Sequence, residues 1–213
     1  MKSEKDAFLE MVSVSRETIH RLERYEALLT SWNEKINLVS KNTIPHIWSR
    51  HFLDSAQLMR HLPEEASTLA DMGAGAGFPG LVLAILSKER PAPLKVYAIE
   101  SIKKKASFLQ AVVDDLELDV HVVNERIETI KDFRADIVTA RALKPLPELL
   151  KYANRVAGRD SALLFLKGQN LSEELTHAKK YWTFSHRLYK SLSEDSGRIL
   201  AIKNLQYKQK RRT

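Results

Sequence analysis

One stretch of the chain has the make-up of a ligand cradle: Asp71-Met72-Gly73-Ala74-Gly75-Ala76-Gly77-Phe78-Pro79-Gly80. Glycines let a backbone turn sharply and approach a ligand with no Cβ in between. If a helix opens behind the loop, the unpaired N–H groups of its first turn face the same ligand. Gly75-x-Gly77-x-x-Gly80 also satisfies the dinucleotide fingerprint. Asp71 argues against that reading, because a carboxylate sits poorly beside a pyrophosphate. It suits a ligand with an ammonium group, and the methionine part of S-adenosylmethionine carries one next to a sulfonium. The expected cofactor is therefore S-adenosylmethionine, gripped around Asp71, Gly73 and Gly75.

Further along, Ala98-Ile99-Glu100 places an acid where it can accept hydrogen bonds from both hydroxyls of a ribose. Glu100 also fits as a first-turn acid for a helix starting near Ile102. The run Asn124-Glu125-Arg126-Ile127-Glu128 is expected against an adenine ring, through backbone near Ile127 and the side chain of Glu128. Arg141 closes Val138-Thr139-Ala140-Arg141, at the carboxyl edge where ligands bind in such folds. It could orient a phosphate or a base, or instead pair with Glu100, Glu128 or Asp71. The chain has no cysteine, which excludes disulfides, Cys-based zinc sites and the thiolate nucleophile of C5-pyrimidine methylation. The seven histidines show no His-x-x-x-His spacing, so no metal is expected.

These residues need a frame. From residue 67 onward, short apolar runs at 68–72, 95–99, 119–123, 136–140, 162–167, 182–188 and 198–203 read as strands. Helices fit at 79–87, 102–116, 146–156 and 171–179. Alternation of this kind predicts an α/β fold with a mostly parallel sheet. The last two strands are separated only by Ser193-Glu194-Asp195-Ser196-Gly197, a turn-like cluster, so they should form an antiparallel hairpin. That is the plan of a Rossmann-like class I methyltransferase. Before it, Ser15 can cap one helix and a second starts at Thr43, with Pro45 in its first turn and Pro63 ending it. Residues 1–65 are read as a helical extension packed on a domain of 66–213.

The 213 residues are 44% hydrophobic and 29% charged, with a formal net charge of +7, a balance that favours a polyanionic partner. No apolar run approaches the roughly 20 residues of a membrane span. Met1-Lys2-Ser3-Glu4-Lys5-Asp6 mixes both signs without an apolar core, so a cytoplasmic location is expected.

Taken in order, the motifs resemble the 16S ribosomal RNA guanine-N7 methyltransferase G family, also called the glucose-inhibited division protein B family. Trp32-Asn33-Glu34-Lys35-Ile36-Asn37-Leu38-Val39-Ser40 and Arg50-His51-Phe52-Leu53-Asp54-Ser55 match family stretches, as do the glycine loop, Lys103-Lys104-Lys105-x-x-Phe108-Leu109, Arg126-Ile127-Glu128, Arg141-Ala142 and Leu166-Lys167-Gly168. The resemblance implies S-adenosylmethionine contacts at Gly73, Phe78, Ile127, Glu128 and Arg141. It also implies methyl transfer to N7 of one guanine of small-subunit rRNA; a monomer without a metal or membrane partner is expected. Glu100 stands where the family often has aspartate, and the tail Lys208-Gln209-Lys210-Arg211-Arg212 has no firm family counterpart.

N7 of guanine carries a lone pair and no proton, so transfer needs alignment, not a general base. RNA contacts should be cationic and ring the cofactor mouth: Arg50, Lys103, Lys144, Lys167, Arg198, and Lys210, Arg211 and Arg212 of the tail. His51 and Asp54 read as ties between the helical extension and the loop region. Two other classes compete. A nucleotide-dependent oxidoreductase would want a Tyr-x-x-x-Lys pair, and no tyrosine has Lys four residues on. A non-catalytic ribosome-binding factor on the same fold would bind RNA and transfer nothing.

Overall fold

The computed structural model describes residues 3–208. Seven strands form one sheet: β1 (Thr68–Met72), β2 (Lys95–Ile99), β3 (Val120–Val123), β4 (Ala135–Arg141), β5 (Ala157–Lys167), β6 (Trp182–Lys190) and β7 (Arg198–Tyr207). Their order is β3-β2-β1-β4-β5-β7-β6. The first five are parallel, whereas β7 runs antiparallel between β5 and β6. The parallel sheet closed by a hairpin is thus present.

Two helices lead: α1 (Glu4–Met11) and α2 (Arg16–Asn33). Ser15 caps α2 as its position suggests, its hydroxyl accepting from Thr18 N–H at 3.2 Å. A single regular helix from Thr43 is not what forms. Residues 41–61 coil as a 3₁₀ turn (Lys41–His46), a π turn (Trp48–Leu53), a short α turn, α3 (Asp54–Ala56), and a second 3₁₀ turn (Gln57–His61). Pro45 lies inside the first turn, and Ser55 Oγ donates back to His51 carbonyl at 2.7 Å, competing with the regular ladder. The irregularity falls on Arg50, His51 and Asp54, and π turns of this kind often mark functional positions.

The sheet's helices are α4 (Gly80–Ser87), α5 (Lys103–Leu116), α6 (Leu146–Val156) and α7 (Leu171–Tyr181). Helix α4 is buried along its whole length, consistent with the uninterrupted apolar run behind the glycine loop. One face of the sheet shares a hydrophobic cluster with α4, α5 and the N-terminal helices, from Phe8, Leu22 and Tyr25 to Leu81 and Phe108. The other face packs α6 and α7 through Leu149, Leu150, Phe165 and Leu175. No helix of the described residues is long and apolar enough to cross a membrane.

Strands β1 to β4 end together at one edge, and β5 joins them with Lys167 paired to Arg198 of β7. Because β7 then runs backward, Tyr207 pairs with Trp182 at the opposite, amino edge. Tyr207 and Lys208 therefore lie at the edge away from the glycine loop, where Lys208 N–H donates to Tyr181 carbonyl at 2.9 Å. Lys210, Arg211 and Arg212 themselves lie outside the described residues.

Candidate functional site

The carboxyl edge of the sheet carries two adjoining cavities. The first, of about 410 Å³, is lined by Gly73, Gly75, Glu100, Ile127, Glu128 and Arg141, six of the eight residues singled out for the cofactor. Gly75 adopts φ +58°, a left-handed conformation that glycine takes without strain. Its N–H donates to Glu100 Oε2 at 3.0 Å. A Cβ at Gly75 would find its nearest neighbour 3.7 Å away and so would project into free space of the cavity. Glu100 is also fixed by Ile102 N–H, which donates to Oε1 at 2.7 Å. Each carboxylate oxygen has a second lone pair, so both can still accept from a ribose. The two readings of Glu100, helix-start acid and ligand acceptor, are thus compatible in one geometry.

Ile99, Ile102, Ile127 and Leu143 supply apolar wall around Glu100. The loop after β3 is tied to this wall by Asn124, whose side-chain N–H donates to Glu100 carbonyl at 2.8 Å. Glu128 accepts from Arg126 at 2.9 Å and from the Tyr152 hydroxyl at 3.2 Å. Its own backbone N–H and then the Arg126 guanidinium hold its carboxyl below the usual range. Tyr152 and Lys105 also line the cavity. Sequence reasoning assigns neither to the cofactor: Lys105 falls only within the motif at the start of α5, and Tyr152 sits within an amphipathic helix and carries no motif of its own. A carboxylate for a ribose, an apolar slot for a base and a backbone with no Cβ in the way fit an adenosine-bearing cofactor such as S-adenosylmethionine.

Two of the eight residues do not face this cavity. Asp71 is fully buried. Its oxygens accept from Thr139 Oγ1 at 2.8 Å and Gly80 N–H at 2.9 Å, and it lines neither cavity. Burial pushes its pKa up to about 7 against the lowering effect of those two bonds. Asp71 pins the start of α4 to β1 and β4 and so sets the loop's shape. Phe78 is buried too. Its ring stacks on Tyr25 at 5.5 Å and on His51 at 4.8 Å, with the Arg141 guanidinium 5.1 Å above it. The Tyr25 hydroxyl donates to Ala76 carbonyl. The N-terminal helices thereby brace the glycine loop from behind.

The second cavity, of about 420 Å³, brings together Arg50, His51, Arg141, Lys167 and Arg198 with the hairpin loop of Ser191 to Gly197. Arg141 and Ala142 line both cavities and form the partition between them. Ala142 takes φ +50°, unusual for a residue with a Cβ, at this corner. The partners of Arg141 are not Glu100, Glu128 or Asp71. Its guanidinium donates to Asp54 Oδ2 and Arg50 carbonyl, each at 3.1 Å, and to His51 Nδ1 at 2.7 Å. A guanidinium only donates, so His51 Nδ1 is unprotonated and Nε2–H donates to Thr43 Oγ1 at 3.0 Å. Burial first, then the Arg141 and Arg50 charges, hold His51 down at about 3, and it stays neutral. Asp54 Oδ1 accepts from Ser193 Oγ at 2.6 Å and Gln57 at 3.0 Å, so one carboxylate joins the extension, the hairpin loop and Arg141.

The expected RNA contacts divide. Arg50, Lys167 and Arg198 converge on the second cavity. Lys167 pairs there with Glu174 at 2.6 Å and donates to Lys144 carbonyl at 3.2 Å, and Arg50 pairs with Glu194 at 3.6 Å. Lys144 lines the first cavity and pairs with Glu148 at 3.5 Å. Lys103, exposed at the start of α5, lines neither cavity.

Comparison with known proteins shows the family and the fold. A family model described as GidB, rRNA small subunit methyltransferase G, matches residues 18–202. A ribosomal RNA small subunit methyltransferase G of Caulobacter vibrioides is 46% identical over 198 residues, covering 93% of this chain and 90% of that protein. The protein of the same name from Hyphomonas neptunium is 41% identical over 204 residues, 96% of each chain. Among solved structures, a SAM-dependent methyltransferase from Aquifex aeolicus superposes with a TM-score of 0.57 at 18% identity, over 82% of this chain and 97% of that one. A putative O-methyltransferase from Klebsiella pneumoniae gives 0.59 at 13% identity, over 95% and 97%. At such identities these structures speak for the fold. Neither the oxidoreductase nor the non-catalytic reading finds support among these relatives. The chain belongs to the rRNA small subunit methyltransferase G, or GidB, family.

Proposed function

We propose that this chain transfers the methyl group of S-adenosylmethionine to N7 of a guanine in small-subunit rRNA, with the cofactor in the Gly75–Glu100 cavity and the guanine in the neighbouring one. The observation that carries this reading is the shared partition: Arg141 and Ala142 bound both cavities, so two ligands seated there meet across them. When bound, S-adenosylmethionine supplies an electrophilic methyl carbon on sulfur. The chain's own work is to hold the two partners in line and keep water out, which is catalysis by proximity. Among the described residues, none at the partition is poised to take a proton. His51 is held neutral with both ring nitrogens engaged, and Asp54 is committed to Arg141, Ser193 and Gln57. That suits a nucleophile that has no proton to lose. Arg141 donates three hydrogen bonds of the five it can make, leaving donors for O6 of a guanine or for its phosphate.

Asp71 and Phe78 serve this site from behind by shaping the glycine loop. Arg50 and Arg198 are the cations best placed to meet the RNA backbone at the cavity mouth, and the protein works in the cytoplasm as a monomer. The test is incubation of labelled S-adenosylmethionine with small subunits that lack the modification, followed by mapping of the modified base. Label at N7 of a single guanine supports the proposal. Label on another atom or base, or none, contradicts it.

A further inference from the structure

A third cavity, of about 690 Å³, opens at the amino edge of the sheet, where β4 and β5 begin and β7 ends. Four cations line it, Lys131, Arg134, Lys151 and Arg155, against one carboxylate, Asp132. None of the five forms an ion pair with any described residue. Arg134 spends one nitrogen on Phe133 and Arg155 carbonyls, at 2.7 Å each, which holds it at the rim. Elsewhere on this molecule cations are commonly matched, as Lys144 is by Glu148 and Lys167 by Glu174. Like charges gathered in a concavity repel one another and focus a positive potential outward. Neither methyl-transfer cavity uses them.

The aromatic content points the same way. Tyr207 lines this cavity, is 56% exposed and is held edge-on against buried Trp182 with ring centroids 5.1 Å apart. A fixed, exposed ring beside cations is the usual pairing for a nucleic-acid strand, with phosphates on the charges and a base on the ring. Lys208, the next residue, is exposed as well. Strand β7 connects the two ends of the molecule: Arg198 lies at the second cavity and Tyr207 at the third. At about 3.3 Å per residue, they are roughly 30 Å apart.

We propose that this amino-edge cavity is a second docking surface for the rRNA substrate, gripping phosphates of a strand remote from the target base. The inference rests on the rRNA reading above but not on which base is methylated. It is tested with full-length protein carrying Lys131→Gln, Lys151→Gln and Arg155→Gln together, and with a second variant carrying Glu at the same three exposed positions. The readouts are S-adenosylhomocysteine affinity, steady-state methylation of small subunits, and the salt dependence of binding to small-subunit rRNA. Expected for the Gln variant are unchanged cofactor affinity and kcat, a KM raised about tenfold, and a log–log salt slope shallower by about 2, the release from three phosphate contacts. The Glu variant should raise KM further. An unchanged KM and salt slope in both variants would overturn the proposal. So would competition by ATP that removes RNA from the wild type as well as unlabelled rRNA does, since that describes a small-nucleotide site. Methyl label on another base would defeat the N7 reading while leaving these slopes to be judged alone.

Discussion

Arg141 occupies the most demanding position in the molecule. It stands between two cavities and is held on three sides by the extension, through Asp54, His51 and the Arg50 carbonyl. Arg141→Ala should cut methylation about 100-fold or more, the scale of losing alignment at a reacting centre. The stability loss should stay within the about 1–3 kcal/mol of an unsatisfied buried partner, read by thermal melting beside single-turnover rates. Equal, large losses in both would make the residue a fold brace only. Gly75→Asp puts a charged side chain into the first cavity, and calorimetry should detect no S-adenosylhomocysteine binding; unaltered affinity would place the ligand elsewhere. His51 provides a pH signature. Its folded pKa of about 3 lies below its ordinary 6.5, so the unfolded chain binds the extra proton and stability falls as pH drops below 6.5. Between pH 7 and 5 the wild type should lose about 2 kcal/mol relative to His51→Gln. Asp71, raised to about 7, acts with the opposite sign, since the folded state keeps its proton and stability falls as pH climbs from about 4 through 7. That contribution is common to both proteins and cancels in the comparison. Parallel pH–stability curves would contradict the assignment of a neutral, buried His51.

At the scale of elements, the glycine loop is a bend held from two directions. Asp71 secures its exit into α4, and Tyr25, Phe78 and His51 pack against its back. A methyl at Gly80 would lie 2.6 Å from the Asp71 carboxylate and 2.7 Å from its Cβ. Gly80→Ala should therefore destabilise by about 1–3 kcal/mol and weaken cofactor binding, measured by denaturant unfolding and calorimetry. A variant as stable as the wild type would mean that Asp71 does not set the loop. The strands and the loops that line the first cavity were legible because their signals are local: short apolar runs, glycines at a strand end, an acid after β2. The role of Asp71 was not legible, since a carboxylate at a strand end looks the same whether it faces a ligand or Thr139 and Gly80. Phe78 misled for a related reason, because a motif position does not tell which way a ring turns. The irregular coil of 41–61 depends on Ser55 bonding to the His51 carbonyl and on packing against the loop, which no periodicity reports. Asp54 joins residues 139 positions apart in the chain, a contact that only the tertiary fold creates.

For the molecule as a whole, the two edges of the sheet divide the labour. The carboxyl edge holds the two adjoining cavities that share Arg141, and the amino edge collects unmatched positive charge where β7 ends. The net charge of +7 is thus not spread evenly, and its far concentration lies beside the point from which the basic tail departs. Four of the last six residues are Lys or Arg, so deleting everything after Tyr207 should weaken rRNA binding and flatten its salt dependence, measured by filter binding across a salt series. An unaltered slope would deny the tail any anchoring part. All of this presupposes that the glycine bend and Glu100 seat an adenosine-bearing cofactor against the Arg141–Ala142 partition. The most direct measurement is a crystal structure of the protein with S-adenosylhomocysteine. It should show the ribose hydroxyls on Glu100, the adenine beside Ile127 and the sulfur turned toward Arg141 and the second cavity. Ligand bound away from the bend, or sulfur facing away from that partition, would contradict the account.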